Sequence, residues 1–426
     1  MIIPSIDLQD GRTVQLVGGE GAPAVDAGDP GPIADRFAVA GELAVIDLDA
    51  ALGRGENQGL VESLVRRHPC RVGGGIRDLA TAVRWLDAGA RRIILGTAAT
   101  PELLGALPRE RVIAALDARH GEVVVEGWQR GTGQELLSRI EALRPYVGGF
   151  LVTFVEREGR MGGTDLERVR AVVEAAGEAR VTVAGGVTTA DEIREIDRLG
   201  ADAQVGMALY TGTLDLGQAV AAPLRSDRPD GLWPTVVVDE GGGALGLVYS
   251  DRASVVEAVR SRRGVYHSRR RGLWRKGESS GDTQELLRVD LDCDRDALRF
   301  VVRQAGQGFC HEGRWSCWGD EVGLSSLQRR LARRLEQAPP GSYTRRLLDD
   351  PALLRAKLRE EAGELADATG AGEVIHEAAD LLYFALVAMA RGGVALPEVE
   401  AELDRRALRQ TRRPGDAKPE QEGTDG

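Results

Sequence analysis

The first half of the chain carries the same pattern twice. Asp7 ends an apolar strand-like run, and Asp117 ends another 110 positions later. The glycine pair Gly74-Gly75 returns 111 positions later as Gly185-Gly186, and Gly96 returns 110 positions later as Gly206. Short apolar runs at Ala44–Leu48, Arg92–Leu95, Val112–Leu116, Phe150–Thr153, Val181–Ala184 and Ala203–Val205 alternate with amphipathic stretches such as Asp78–Ala88 and Asp191–Leu199. Such βαβα alternation implies a parallel sheet with helices outside. Two related halves of four strands total about 220 residues, the size of a (β/α)8 TIM barrel. A doubly wound sheet has a single switch point and leaves the doubling unexplained.

The remaining chain is too long to share one core with such a barrel, so further domains are expected after 1–222. Ala222–Asp230 reads as a Pro- and charge-bearing linker. Over 228–320, alternating strand patterns at Thr235–Val238, Ala244–Tyr249, Leu286–Leu291 and Ala297–Val302 surround a basic stretch and three cysteines, predicting a small α+β metal-binding domain. Residues 324–411 read as an all-α helical domain, and 412–426 as a polar, disordered tail. A formal charge of -11 argues against nucleic-acid or anionic-membrane partners. The longest apolar stretch, Leu381–Ala390, lies between Asp380 and Arg391 and reads as a buried helix; Pro4 and Asp7 interrupt any leader-like run. The expected location is cytoplasmic.

Carboxylates at the C-terminal ends of barrel strands face the mouth, where Asp7 and Asp117 would oppose one another. Each alone reads as a loop cap, but the symmetric pair suits proton transfer in both directions. The Gly74-Gly75 and Gly185-Gly186 loops, each followed about 20 residues on by Gly96 or Gly206, offer backbone N–H groups to an anion. Two such copies imply a substrate with a phosphate at each end. IIPSIDLQDG, VGGGIR, ILGTA, AALDAR, Gly127-Trp128, VAGGV and VGMALYTG resemble the histidine-pathway isomerase that opens the ribose of a formimino-aminoimidazole-carboxamide ribotide. The resemblance implies an Amadori rearrangement, with Asp7 as base, Asp117 as acid, Trp128 stacked on the substrate and Thr153 assisting ring opening. Gln15 and Glu158-Gly159-Arg160 stand where many bacterial members have Arg and Asp-Gly-Thr, which leaves Glu158 without an assigned role. Glu126 stands where a dual-substrate relative has Arg, so a single substrate is expected.

Cys310 and Cys317 lie seven apart, with Cys293 upstream. Three thiolates and an open position suit catalytic zinc (Zn²⁺), with His311 as the base that activates water. Asp292, Asp294 and Asp296 alternate around Cys293 and would point to one side of a strand or extended turn, a hard site for magnesium (Mg²⁺). Ser268–Gly281 reads as a phosphate cradle through Arg269, Arg271, Trp274, Lys276 and Ser280. GLWP, the Ser268–Gly281 stretch, LDCDRD and CHEGRWSC resemble phosphoribosyl-AMP cyclohydrolase, which implies opening of the adenine ring and a Cys293 that reaches the zinc of a partner chain.

Glu361 with Glu364, and Glu377 with Asp380, share helix faces, and Glu360 adjoins them. Solvated glutamates are the ordinary reading, but apolar neighbours of Asp380 predict a buried carboxylate that needs a metal. The pattern, with Gly341–Thr344 and Glu377–Tyr383, resembles phosphoribosyl-ATP pyrophosphohydrolase, which implies Mg²⁺ at these five acids and a phosphate at Lys357. The resemblances name consecutive steps on phosphoribosyl nucleotides, in a homodimer joined through the two hydrolase domains. The competing expectations are a non-catalytic, phosphate-binding barrel and a general nucleotide pyrophosphatase.

Overall fold

The computed structural model describes residues 1–17, 20–125, 128, 130–158, 162–319, 322–339 and 341–411. Glu126, Gly127, Gly159, Arg160 and the tail 412–426 lie outside the described residues. The chain divides into two compact units.

The first unit comprises Met1–Phe37, Glu42–Leu214 and the chain from Arg405 onward. Its eight parallel strands are β1 (Ile2–Gln9), β2 (Leu43–Asp47), β3 (Cys70–Gly73), β4 (Arg92–Leu95), β5 (Val112–Arg119), β6 (Gly149–Phe154), β7 (Arg180–Ala184) and β8 (Ala201–Val205). Each pairs with the next, β8 pairs with β1, and the barrel closes. Near-continuous apolar runs make the strands buried on both faces, and Ile94, Ile113, Leu151 and Ala184 cluster in the core. Helices begin where side chains cap them: Asp78 accepts from Thr81 N–H, and Thr189 forms a capping box with Glu192.

The halves also share a feature absent from the expectations, an antiparallel ribbon after the first strand of each. Arg12–Val17 and Glu20–Gly28 extend β1, while Glu122–Val125 and Arg130–Glu135 extend β5. Asp7 pairs with Val14 and Asp117 with Val124, so the repeat of 110 positions extends to the ribbon partner.

Arg71 on β3 is 2% exposed. Its guanidinium donates to Thr182 Oγ1 on β7 at 2.8 Å and to Glu42 at 2.6 Å, and Glu42 also accepts from Arg92 at 2.8 Å. Glu42→Ala leaves a buried cation without its carboxylate, and a loss of about 3–5 kcal/mol in urea unfolding is expected; an unchanged midpoint would show the pair to be dispensable.

The segment after Arg405, expected to close the helical domain, belongs to the barrel unit. Arg111 donates to the Leu408 carbonyl, and Asp87 accepts from the N–H groups of Gln410 (2.6 Å) and Thr411 (3.1 Å). The linker Ala222–Asp230 packs against the second unit. Ala222 and Leu224 are buried, and the Trp233 indole donates to the Arg225 carbonyl at 2.6 Å. Apolar side chains at its start and the carbonyl acceptor hold this segment in the second unit.

That unit, Asp215–Asp404 with Ala38–Gly41, contains a six-stranded sheet and the helices after it. Its strands are β9 (Trp233–Val238), β10 (Ala244–Ser250), β11 (Val265–Ser268), β12 (Gly272–Arg275), β13 (Gln284–Leu291) and β14 (Leu298–Gln304), in the order β12-β11-β10-β9-β14-β13. Helices α1 (Gly323–Gln337), α2 (Tyr343–Asp349), α3 (Pro351–Asp367), α4 (Ala371–Arg391) and α5 (Leu396–Ala407) follow. Leu331, Leu347, Leu354, Phe384 and Val387 form their core. No single helix among the described residues is long and apolar enough to cross a membrane.

Candidate active sites

In the closed order β1 and β5 stand four strands apart, which sets Asp7 and Asp117 across the barrel. Asp7 accepts from Ser5 Oγ at 2.8 Å and from Gln15 Nε2 at 3.0 Å. Burial outweighs both hydrogen bonds and pushes its carboxyl up to about 6. Asp117 is also raised by burial, against hydrogen bonds from Trp128 and from Thr153, its register neighbour on β6. The indole of Trp128 thus contacts the carboxylate in addition to whatever face it offers a substrate.

Glu158, the site residue left without a role by motif alone, follows β6. Burial pushes its carboxyl up to about 7, and both Asp7 and Asp117 repel its charge. Three carboxyls therefore share one field. Among the described residues Glu158 Oε2 has no hydrogen-bond partner. Its place after a barrel strand was a visible signal; its burial was not.

The paired glycines have matching left-handed backbones, with φ of 96° and 69° at Gly74-Gly75 and 93° and 85° at Gly185-Gly186. A Cβ on Gly74 would strike the Asp47 carbonyl, and one on Gly185 would come 2.7 Å from the Phe154 carbonyl. Close packing alone thus demands glycine at these turns. Gly206 packs against the Gln15 amide, whereas the space beside Gly96 is open.

In the second unit Cys310 and Cys317 lie close enough for each thiol to act on the other. The Glu312 backbone N–H holds the Cys310 thiol below its ordinary value. Two thiols in one loop suit a soft metal. Cys293 is exposed, and among the described residues no group of three potential ligands includes a cysteine. The chain therefore brings together two of the three expected thiolates. His311 is exposed beside Cys310.

Asp292, Asp294 and Asp296 offer oxygens within 4.8 Å of one another. They converge because the chain bends between β13 and β14, with Arg295 at φ 69°, and not through strand alternation. Backbone N–H groups of Asp296 and Ala297 fix Asp292 Oδ1 at 3.0 and 3.1 Å.

The basic stretch forms the β11–β12 hairpin and the turn beyond it. Arg269 stacks over Tyr249, Arg271 over Trp274, and Ser280 is exposed. Lys276 differs from its neighbours: it is buried, and its ammonium donates to the carbonyls of Asp282 (3.0 Å) and Gly308 (3.4 Å). The structure makes it a support beneath the cysteine loop.

On the helices, Glu361, Glu377 and Asp380 form one group of convergent oxygens and Glu360, Glu361 and Glu364 another. Lys357 pairs with Glu360 at 2.7 Å and Glu361 at 2.8 Å. The expectation of a buried Asp380 is corrected, since its side chain is 46% exposed while that of Glu361 is 5% exposed. The buried face of α4 begins at Phe384, one turn later, so the apolar neighbours of Asp380 do not enclose it.

Facing half-buried carboxyls on a closed eight-stranded barrel, followed by a unit with a cysteine pair and clustered acids, define a multidomain enzyme-like class. The chain belongs to the histidine biosynthesis protein family, whose model matches residues 1–215. Models for phosphoribosyl-AMP cyclohydrolase and phosphoribosyl-ATP pyrophosphohydrolase match 246–319 and 324–407. A histidine biosynthesis trifunctional protein of Neurospora crassa is 40% identical over 350 residues, 80% of this chain and 38% of the relative. One from Komagataella pastoris is 54% identical over 204 residues, 48% of this chain and 24% of the relative. The 1-(5-phosphoribosyl)-5-((5-phosphoribosylamino)methylideneamino) imidazole-4-carboxamide isomerase of Halobacterium salinarum is 39% identical over 233 residues, 52% of this chain and 96% of the relative. The chain spans between 24% and 49% of the length of the first three curated relatives it matches.

Proposed function

We propose that this chain catalyses three successive steps on phosphoribosyl nucleotides. Phosphoribosyl-ATP is hydrolysed to phosphoribosyl-AMP and pyrophosphate, the adenine ring is opened, and the aminoaldose ribotide is isomerised to the aminoketose. The three segments 324–411, 228–320 and 1–222 take the steps in that order. The matches to all three family models support the assignment, and the pair Asp7 and Asp117, half-buried on strands four apart, carries the isomerase reading.

In that step the Asp117 carboxyl gives its proton to the ribose ring oxygen, opening the ring, while Thr153 and Trp128 hold it. Asp7 removes the proton from C2 of the open sugar, oriented by Ser5 and Gln15. Glu158 offers its unpartnered oxygen to a substrate hydroxyl. The glycine turns of both halves hold the terminal phosphates.

For the hydrolase steps, Zn²⁺ held by Cys310 and Cys317 with Cys293 of the partner subunit, and Mg²⁺ at Asp292, Asp294 and Asp296 and at the α3 and α4 acids, would supply activated water and polarised phosphate. His311 takes a proton from the attacking water, Arg269, Arg271 and Ser280 hold the nucleotide phosphate, and Trp274 flanks it. The exposed Ile375 and Leu382 on α4 support a homodimer through this unit. Unbridged thiols suit a reducing, cytoplasmic setting.

The test is incubation of the purified chain with phosphoribosyl-ATP, Mg²⁺ and Zn²⁺, with products identified by mass. All three products are expected in sequence. Accumulation of the ring-opened aldose would remove the isomerase from the assignment, and equal rates on ordinary nucleoside triphosphates would make the helical segment a general pyrophosphatase.

A further inference from the structure

One contact joins the segment matched by the pyrophosphohydrolase model to the cysteine loop matched by the cyclohydrolase model, inside the second unit. Asp239, in the turn after β9, is 4% exposed. Its Oδ1 accepts from Gly243 N–H at 2.8 Å. Its Oδ2 accepts from the Trp315 indole at 3.3 Å and from an Arg329 guanidinium N–H at 3.2 Å. Arg329 belongs to α1, and its guanidinium also lies over the Trp315 ring, 4.4 Å from the centroid. Trp315 is thus fixed at its N–H by Asp239 and at its face by Arg329.

Trp315 sits inside the loop that brings Cys310 and Cys317 together. Its carbonyl accepts from Phe309 N–H at 2.9 Å, next to Cys310. Two residues on, Cys317 N–H donates to the Leu245 carbonyl at 2.8 Å, and Ser316 Oγ donates to the Ala244 carbonyl at 2.9 Å. The turn that carries Asp239 leads directly into this stretch of β10, so Asp239 anchors both sides of the loop. A planar cation suits the place, since it stacks on the indole and satisfies a buried carboxylate at once.

We infer that Arg329 is a positioning residue for the cyclohydrolase site: helix α1 of the pyrophosphohydrolase segment holds the Cys310–Cys317 loop in its metal-binding shape through Trp315 and Asp239. The inference rests on the reading of Cys310 and Cys317 as metal ligands. It couples the two hydrolases structurally, because a shift of α1 moves the loop that carries both thiols.

The test uses the full chain with Arg329→Ala and Arg329→Lys. In metal-free protein, amide exchange across 309–317 is expected to be faster in Arg329→Ala than in the parent. Zn²⁺ affinity, read by competition with a chromophoric chelator, is expected to fall by about 10–100-fold, the range for residues that orient metal ligands. Cyclohydrolase turnover falls with it, while pyrophosphohydrolase turnover stays at the parental rate. Arg329→Lys, which keeps the cation near Asp239, recovers part of the affinity. Parental exchange and affinity in Arg329→Ala overturn the inference, and so does a matching loss of pyrophosphohydrolase activity, which marks general unfolding. A parent chain that takes up no Zn²⁺ on its cysteines removes the underlying reading as well, a result distinct from a parent and variant that bind equally.

Discussion

Asp7→Asn is expected to lower isomerase turnover by about 10²–10⁴-fold, the contribution of a positioned general base, while both hydrolase rates in the same protein are unchanged. The amide keeps the shape: its oxygen can accept from Gln15 while its NH2 donates to Ser5 Oγ, so geometry survives and the base is lost. The parent should also show an acid limb. Asp7 acts only when ionised, and burial has raised it to about 6, so turnover falls as pH drops through that value. Stability should move the other way. A carboxyl raised in the fold favours the folded state when protonated and loses that contribution as pH rises through its folded value. A neutral amide escapes this loss, so the variant is expected to melt at a higher temperature than the parent at pH 8, and to lose that advantage at pH 4. Activity falling as stability rises is the mark of a residue kept for chemistry. Full isomerase turnover in the variant, or a parental rate flat between pH 5 and 7, would refute the role of Asp7.

The barrel was legible because its evidence is repetition, which survives in one sequence whatever the packing. Neither ribbon is legible in the sequence, because their strands do not alternate cleanly: the outer strand Arg130–Glu135 is polar and largely exposed along its length. Strand β3 is equally hidden, because four residues including Arg71 leave too little apolar pattern to mark a strand. At the sites, residue types that rarely cluster by chance, such as Cys310 with Cys317 and the three alternating aspartates, could be picked out from spacing. Which of them are buried could not. Asp380 and Lys276 show this in opposite directions, one half-exposed where apolar neighbours suggested burial, the other buried where a basic run suggested a phosphate anchor. Burial depends on what the rest of the chain lays over a residue. Glu158 gains its raised carboxyl only when the barrel closes, and Arg329 meets Asp239 across 90 positions of sequence.

Cys310→Ser is expected to abolish adenine-ring opening and to leave pyrophosphate release intact, so that phosphoribosyl-AMP accumulates from phosphoribosyl-ATP. A serine hydroxyl stays protonated at neutral pH and is a poor ligand where a thiolate is needed. The loss should exceed the about 10–100-fold typical of outer-shell changes, and added Zn²⁺ should restore a chelator-treated parent but not the variant. The placement of Cys293 gives a sharper form of the test. It is exposed and joins no ligand group among the described residues of its own chain, so a site completed by a second copy needs Cys310 and Cys317 from one subunit and Cys293 from the other. Cys293→Ser and Cys310→Ser chains, each inactive alone, should then complement on mixing. Random exchange into dimers makes half of them mixed, with one intact site in two, so roughly a quarter of parental cyclohydrolase activity is expected. No recovery after verified subunit exchange would place all the ligands in one chain, and loss of pyrophosphate release in Cys310→Ser would show that the cysteine loop serves the whole unit and not one reaction.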